Sequence, residues 1–249
     1  NTPINAIDST VGTLLVSDQV ADSVFEFNYD GSLVRTLVGP AQGLDNIRGI
    51  AVHGGRLYVA VGGGLLAQTV QSFNLSGGDQ QTWVTLPATA SVWDVTFRAD
   101  DALISDAGEH NIYRVRLSDK QVSVWHDSDT TTSYRFPSQI HIDWTEPDTV
   151  LVGGFSLPKT GVHQLQGTTF GFPTSFWGLP LNIGARGAYR LGNGKILWSS
   201  GTEVQVLDPA NGGSTKVADL GGDPLSNSFR WIERVPGQTI AGKVLLDGF

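Results

Sequence analysis

Residues 103–117, LISDAGEHNIYRVRL, lie over residues 15–29, LVSDQVADSVFEFNY, without a gap. Ser17 meets Ser105, Asp18 meets Asp106, Val24 meets Ile112 and Phe25 meets Tyr113. The offset is 88 residues, twice 44, and further copies stand at the intermediate spacing. A chain with such a period makes one supersecondary unit many times over, and each unit buries its apolar faces on its neighbours.

One unit reads as four short strands. The clearest first pair is IRGIAVHGGRLYVAV, residues 47–61, whose apolar positions alternate with small or polar ones and break at His53-Gly54-Gly55. Period two with a glycine break predicts a β-hairpin. Matching pairs are PINAIDSTVGTLLVSD (3–18), VWDVTFRADDALISD (92–106), SQIHIDWTEPDTVLVGG (138–154), ARGAYRLGNGKILWSS (185–200) and FRWIERVPGQTIAG (229–242). Third strands follow as SVFEFN, TVQSFN, NIYRVRL, GVHQLQ and EVQVLD, and fourth strands as LVRTLV, QTWVTL, VSVWH and TKVADL, with a weaker one near TTFGF. The third positions of the later first strands are Gly49, Asp94, Gln139, Gly187 and Arg230, in steps of 45, 45, 48 and 43. A four-stranded antiparallel unit at this interval predicts an all-β, six-bladed β-propeller. One domain then fills residues 1–249, and since only KVLLDGF follows its first hairpin, the sixth blade is expected either to be short or to be completed by residues beyond Phe249.

Composition narrows the partners. Charged residues are 16% of the chain and the net charge is −8, a field that repels nucleic acid and anionic membrane surfaces. No apolar run approaches the ~20 residues needed to cross a bilayer, so membrane insertion is not expected. Cysteine is absent, which excludes disulfides and thiolate metal sites. Methionine is absent too, and the opening NTPINAID reads as the start of a mature chain, predicting a secreted or periplasmic protein.

Common catalytic and nucleotide-binding signatures do not occur. The glycine run at 61–64 lies between strands and lacks the helix start that phosphate cradling needs. The histidines, at 53, 110, 126, 141 and 163, sit at non-equivalent places in the copies, a poor basis for one zinc centre. Asp18 and Asp106 are expected to hold loop amides, and Asp100-Asp101 to form a solvated hairpin turn. Phe170, Phe172, Phe176 and Trp177 are expected to fill the gap beside an irregular fourth strand.

The residues entering each innermost strand carry the functional reading, because in a propeller they line one mouth of the central channel. They are Arg48, Trp93, Ser138, Arg186 and Phe229, followed by Gly49, Asp94, Gln139, Gly187 and Arg230. Arg48, Trp93, Asp94, Gln139, Arg186 and Arg230 are therefore the candidate ligand-binding set, with no catalytic residue assigned. Guanidinium forks beside an aromatic ring suit a small polar or anionic ligand, or a protein partner presenting one. The competing reading is structural, with Asp94 tying blades together through Arg48 or Arg230.

The segments NIRGIAVHGGRLYVAV and LISDAGEHNIYRVRL resemble the NHL-repeat and SMP-30/gluconolactonase-like six-bladed propellers. That resemblance covers nearly the whole chain at the level of fold. It implies, as the alternative function, a hydrolase or lyase with a divalent metal such as calcium at the channel mouth. Asp94 is the one residue standing where such a ligand belongs, and the Glu-Gly-Pro opening of that family is absent from NTPINAID.

Overall fold

The computed structural model describes residues 4–10, 13–131, 135–146, 148–156, 159–178, 184–200 and 203–219. They form five four-stranded antiparallel sheets, each built from consecutive strands in chain order. Blade one holds β1 (Ile4–Thr10), β2 (Thr13–Asp18), β3 (Ser23–Asn28) and β4 (Leu33–Val38). Blade two holds β5 (Ile47–His53), β6 (Arg56–Val61), β7 (Thr69–Asn74) and β8 (Gln81–Thr85). Blade three holds β9 (Val92–Phe97), β10 (Asp101–Asp106), β11 (Asn111–Arg116) and β12 (Val122–Asp127). Blade four holds β13 (Arg135–Ile142), β14 (Thr149–Ser156), β15 (Gly161–Gln166) and β16 (Phe172–Gly178). Blade five holds β17 (Gly187–Arg190), β18 (Ile196–Ser200), β19 (Glu203–Leu207) and β20 (Ser214–Asp219).

The fold is thus an all-β propeller of four-stranded antiparallel blades, five of them among the described residues, where the sequence predicts six in the whole chain. The sixth copy, residues 229–242, and Arg230 within it lie outside the described residues. The fourth strand of blade four also differs from expectation: TTFGF gives way to Phe172–Gly178, so the ladder starts later and the loop before it is longer.

Strand alternation explains the stacking. In β6, Leu57, Val59 and Val61 pack towards Leu15 and Val24 of blade one. Tyr58 and Ala60, on the opposite face, pack towards Val92, Val95 and Ile104 of blade three. In β14, Val150 and Val152 meet Leu103, Ile112 and Trp125 of blade three, while Leu151 meets Ala188, Ile196 and Trp198 of blade five. Blades two, three and four are apolar on both faces, so the described core lies in layers between blades.

Hairpin chemistry matches the turns. Gly54 and Gly55 take φ of 56° and 75°, the pair of positive angles that a two-residue hairpin of this twist requires. The second strands carry Ser17, Ala60, Ser105, Gly153 and Ser199 at one equivalent place, small residues that press on the next first strand. Ser17 Oγ donates to Arg48 O at 2.6 Å, and Ser105 Oγ to Ser138 O at 2.8 Å. A Cβ on Gly153 would stand 2.8 Å from both Ala185 O and Arg186 O.

Candidate functional site at the channel mouth

The first strands β5, β9, β13 and β17 each adjoin the next, which places them innermost. Three of them break their ladder at the positions singled out from sequence. Register shifts fall between Ile47 and Ile50, opposite Trp93 between Val92 and Asp94, and between Pro137 and Ile140. A bulge frees backbone groups from the ladder and re-aims side chains. Here the freed groups pair with the neighbouring blade: Gln139 N donates to Arg186 O at 3.0 Å.

Asp94 is 2% exposed and works as a staple. Its Oδ1 accepts from Val95 N at 2.7 Å, and its Oδ2 from Ile140 N of blade four at 2.9 Å. On its other side it presses on Gly49 of blade two, where a Cβ would fall 2.6 Å from Asp94 Cα and 2.9 Å from Trp93 O. These two partners are the Val95 amide of its own blade and the Ile140 amide of blade four, so Asp94 ties blades three and four through the backbone, while Arg230 lies outside the described residues.

The second positions converge. Arg48 Nη1 donates to Ser91 Oγ at 2.9 Å and Val92 O at 3.0 Å, which lays its guanidinium 4.5 Å from the Trp93 ring centre. Arg186, from blade five, reaches the same indole at 5.9 Å while stacking on Phe155 at 3.7 Å. Ser138, the small residue of the series, is buried and accepts from Ser105 Oγ through its carbonyl. Gln139 is 2% exposed, its backbone tied to Arg186. Arg48 and Arg186 therefore meet at Trp93, with Asp94 and Gln139 buried in the same strands.

Phe155 and Phe136 are rim residues that the sequence reading missed. Phe136 is 39% exposed and takes φ of 54°, a strained angle for a bulky side chain. Its N–H points to His110 Nδ1 at 3.4 Å, and the two rings meet edge-on at 4.9 Å. Asn46 holds the equivalent place in blade two with φ of 51°. A signal for Phe155 lay in Gly153-Gly154, where other copies carry Ser-Asp, Ala-Val or Ser-Ser.

The other expectations divide. Asp18 accepts from Val20 N and Ala21 N, and Asp106 from Ser91 N, Gly108 N and Glu109 N, so both hold loop amides. Asp101 is a correction. It is 4% exposed, not a solvated turn, and binds Arg98 through both oxygens at 2.7 and 2.9 Å as well as Arg114 Nε. The aromatic cluster is a second correction: Trp177 packs into the blade four–five layer, but Phe170, Phe172 and Phe176 remain exposed.

The histidines stay apart. His126 Nδ1 bonds Gly171 O at 2.9 Å, His53 stacks on Phe97, and His141 lies against Tyr189. Burial pushes His141 down to about 4 and His163 down to about 3. Among the described residues no three His, Cys, Asp or Glu side chains gather as a metal ion would need. Asp94, the carboxylate expected as a metal ligand, has both oxygens on amides.

No family model matches the chain, and no curated protein matches it. Solved structures do. A virginiamycin B lyase from Staphylococcus aureus is similar at 13% identity and TM-score 0.63, over 86% of this chain and 69% of that one. A putative gluconolactonase is similar at 16% identity and TM-score 0.69, over 89% and 79%. The extracellular domain of a putative one-component system from Bacteroides thetaiotaomicron is similar at 12% identity and TM-score 0.61, over 88% of this chain and 28% of that one. At these identities the likeness is one of fold, and the same fold serves lyases and extracellular sensor domains alike. Among the described residues no helix is long and apolar enough to cross a membrane.

Proposed function

We propose that this propeller is a secreted or periplasmic binding module whose channel mouth holds a small polar or anionic ligand. The observation that carries this is the meeting of Arg48 and Arg186, from blades two and five, on the single indole of Trp93. A guanidinium laid on an aromatic face keeps its fork in one orientation, and a pre-set fork loses less freedom when it grips a carboxylate or phosphate. Ser91 Oγ and Phe155 fix the two forks further. A sixth blade from residues 229–242 would close the ring and bring Arg230 to the same opening. The extracellular setting rests on the extracellular domain that shares the fold.

The alternative, a lactonase-like hydrolase or lyase, needs Asp94 as metal ligand or acid–base. Its burial and its two amide bonds favour the staple role instead, and no chemical step is assigned to it. The binding reading is tested by isothermal titration with glucuronate, gluconate and inorganic phosphate. At least one should bind saturably, and Arg186→Gln should weaken it about tenfold or more, a change of ~1.4 kcal/mol. Heat signals absent for all three probes, or equal affinity in an Arg48→Gln/Arg186→Gln double variant, would overturn the assignment.

A further inference from the structure

We propose that the outer edge of the fourth blade is a self-association surface, its occupant a second copy of this chain. Between Lys159 and Arg186 the sequence carries no Asp, Glu, Lys or Arg, although such residues make up 16% of the chain. Outer strand β16 lies within that run. The other outer strands carry charge or a charged cover: Arg35 in β4, Asp127 in β12, Lys216 and Asp219 in β20. In β8 the ring of Trp83 is covered by the Lys120 ammonium at 4.5 Å. In blade four the Lys159 ammonium lies 6.0 Å from the Phe176 ring, but Phe170 and Phe172 stand uncovered by charge at 57% and 63% exposure, beside Val124 of blade three at 41%.

These rings are set in place beforehand. Gly171, between Phe170 and Phe172, donates its N–H to Trp125 O at 2.7 Å, and its carbonyl bonds His126 Nδ1 at 2.9 Å. A Cβ there would stand 2.5 Å from the Trp125 ring, so the segment lies flat on blade three. A platform already ordered loses little freedom on docking. Pro173 removes a donor within the edge strand, which blunts the addition of a partner strand and leaves side chains as the means of contact.

Charge selects the occupant. Each copy carries −8, so contact between copies over most of the surface sets like charges against each other. An isologous interface repeats the same patch on both sides, and a patch without ionised groups can do so free of that repulsion. The remaining repulsion between the bodies is screened by salt. Association should therefore strengthen as salt rises, whereas docking of an oppositely charged protein would weaken.

Sedimentation velocity of the chain, from low to high micromolar and at low and high salt, provides the test. The expected result is a monomer–dimer equilibrium that shifts to dimer with salt, with Phe172→Asp raising the dissociation constant about tenfold or more. Leu65→Asp, on the mouth face, should leave the equilibrium unchanged. Phe170→Asp gives the same reading if circular dichroism finds Phe172→Asp unfolded. A monomer at every concentration and salt overturns the proposal. So does a dimer insensitive to both phenylalanine variants, or one broken equally by Leu65→Asp.

Discussion

Replacing Asp94 by asparagine separates a staple from a catalytic or metal-binding carboxylate. The native side chain accepts one N–H on each oxygen, from Val95 at 2.7 Å and Ile140 at 2.9 Å, at 2% exposure. Asparagine keeps one acceptor and turns an NH2 towards the other amide. One charge-assisted bond is lost, worth ~1.5–3 kcal/mol, and a buried donor is left facing a donor. The side chain cannot swing aside, because Gly49 of blade two packs on it. Taking about 2 kcal/mol, and ~2–4 °C per kcal/mol for a domain of this size, the midpoint of thermal unfolding should fall by about 4–8 °C. Calorimetry on the two proteins measures this directly. A midpoint equal to that of the parent would refute the reasoning, since a carboxylate that does not join blades has no stability to lose here.

Stability should decline in acid through His141 and His163. Their folded values of about 4 and about 3 lie below the ordinary 6.5, so the unfolded chain binds protons first. Their contribution is whole above pH 6.5 and is lost as pH falls towards the folded values; at pH 5 each costs about 2 kcal/mol at ~1.36 kcal/mol per unit. Urea titrations between pH 7 and pH 5 should record that slope, and His141→Gln should flatten it. Asp101→Ala strands Arg98 and Arg114, whose side chains are 8% and 20% exposed, and should destabilise by ~3–5 kcal/mol in the same assay. A cost below ~1 kcal/mol would mean that water reaches the pair, as it does for surface ion pairs.

Much of the architecture was legible because alternation is a local property. Residues 47–61 announce β5 and β6, and the third strands at 23–28, 69–74 and 161–166 lie where the repeat places them. Equivalent positions in different copies could also be matched, and among them Arg48 and Arg186 do meet at Trp93. What stayed hidden depends on side-chain contacts that alternation does not record, within a blade or between blades. Asp101 reads as a turn residue until Arg98 and Arg114 are seen to close on it from either side. Phe136 gives no sign in sequence of its positive φ, which the bulge before Ile140 imposes. Phe170 and Phe172 resemble core residues by type, yet Gly171 holds the chain so close to Trp125 that both rings must point outward.

The division of the apolar interior into separate layers bears on how the chain reaches its final form. Each layer joins only successive blades, so the partner of a newly made sheet has always been synthesised one repeat earlier. Among the described residues, assembly can run in the order of translation, with each hairpin docking on a finished template. A lesion in one layer then stalls growth at that point and leaves the preceding blades intact.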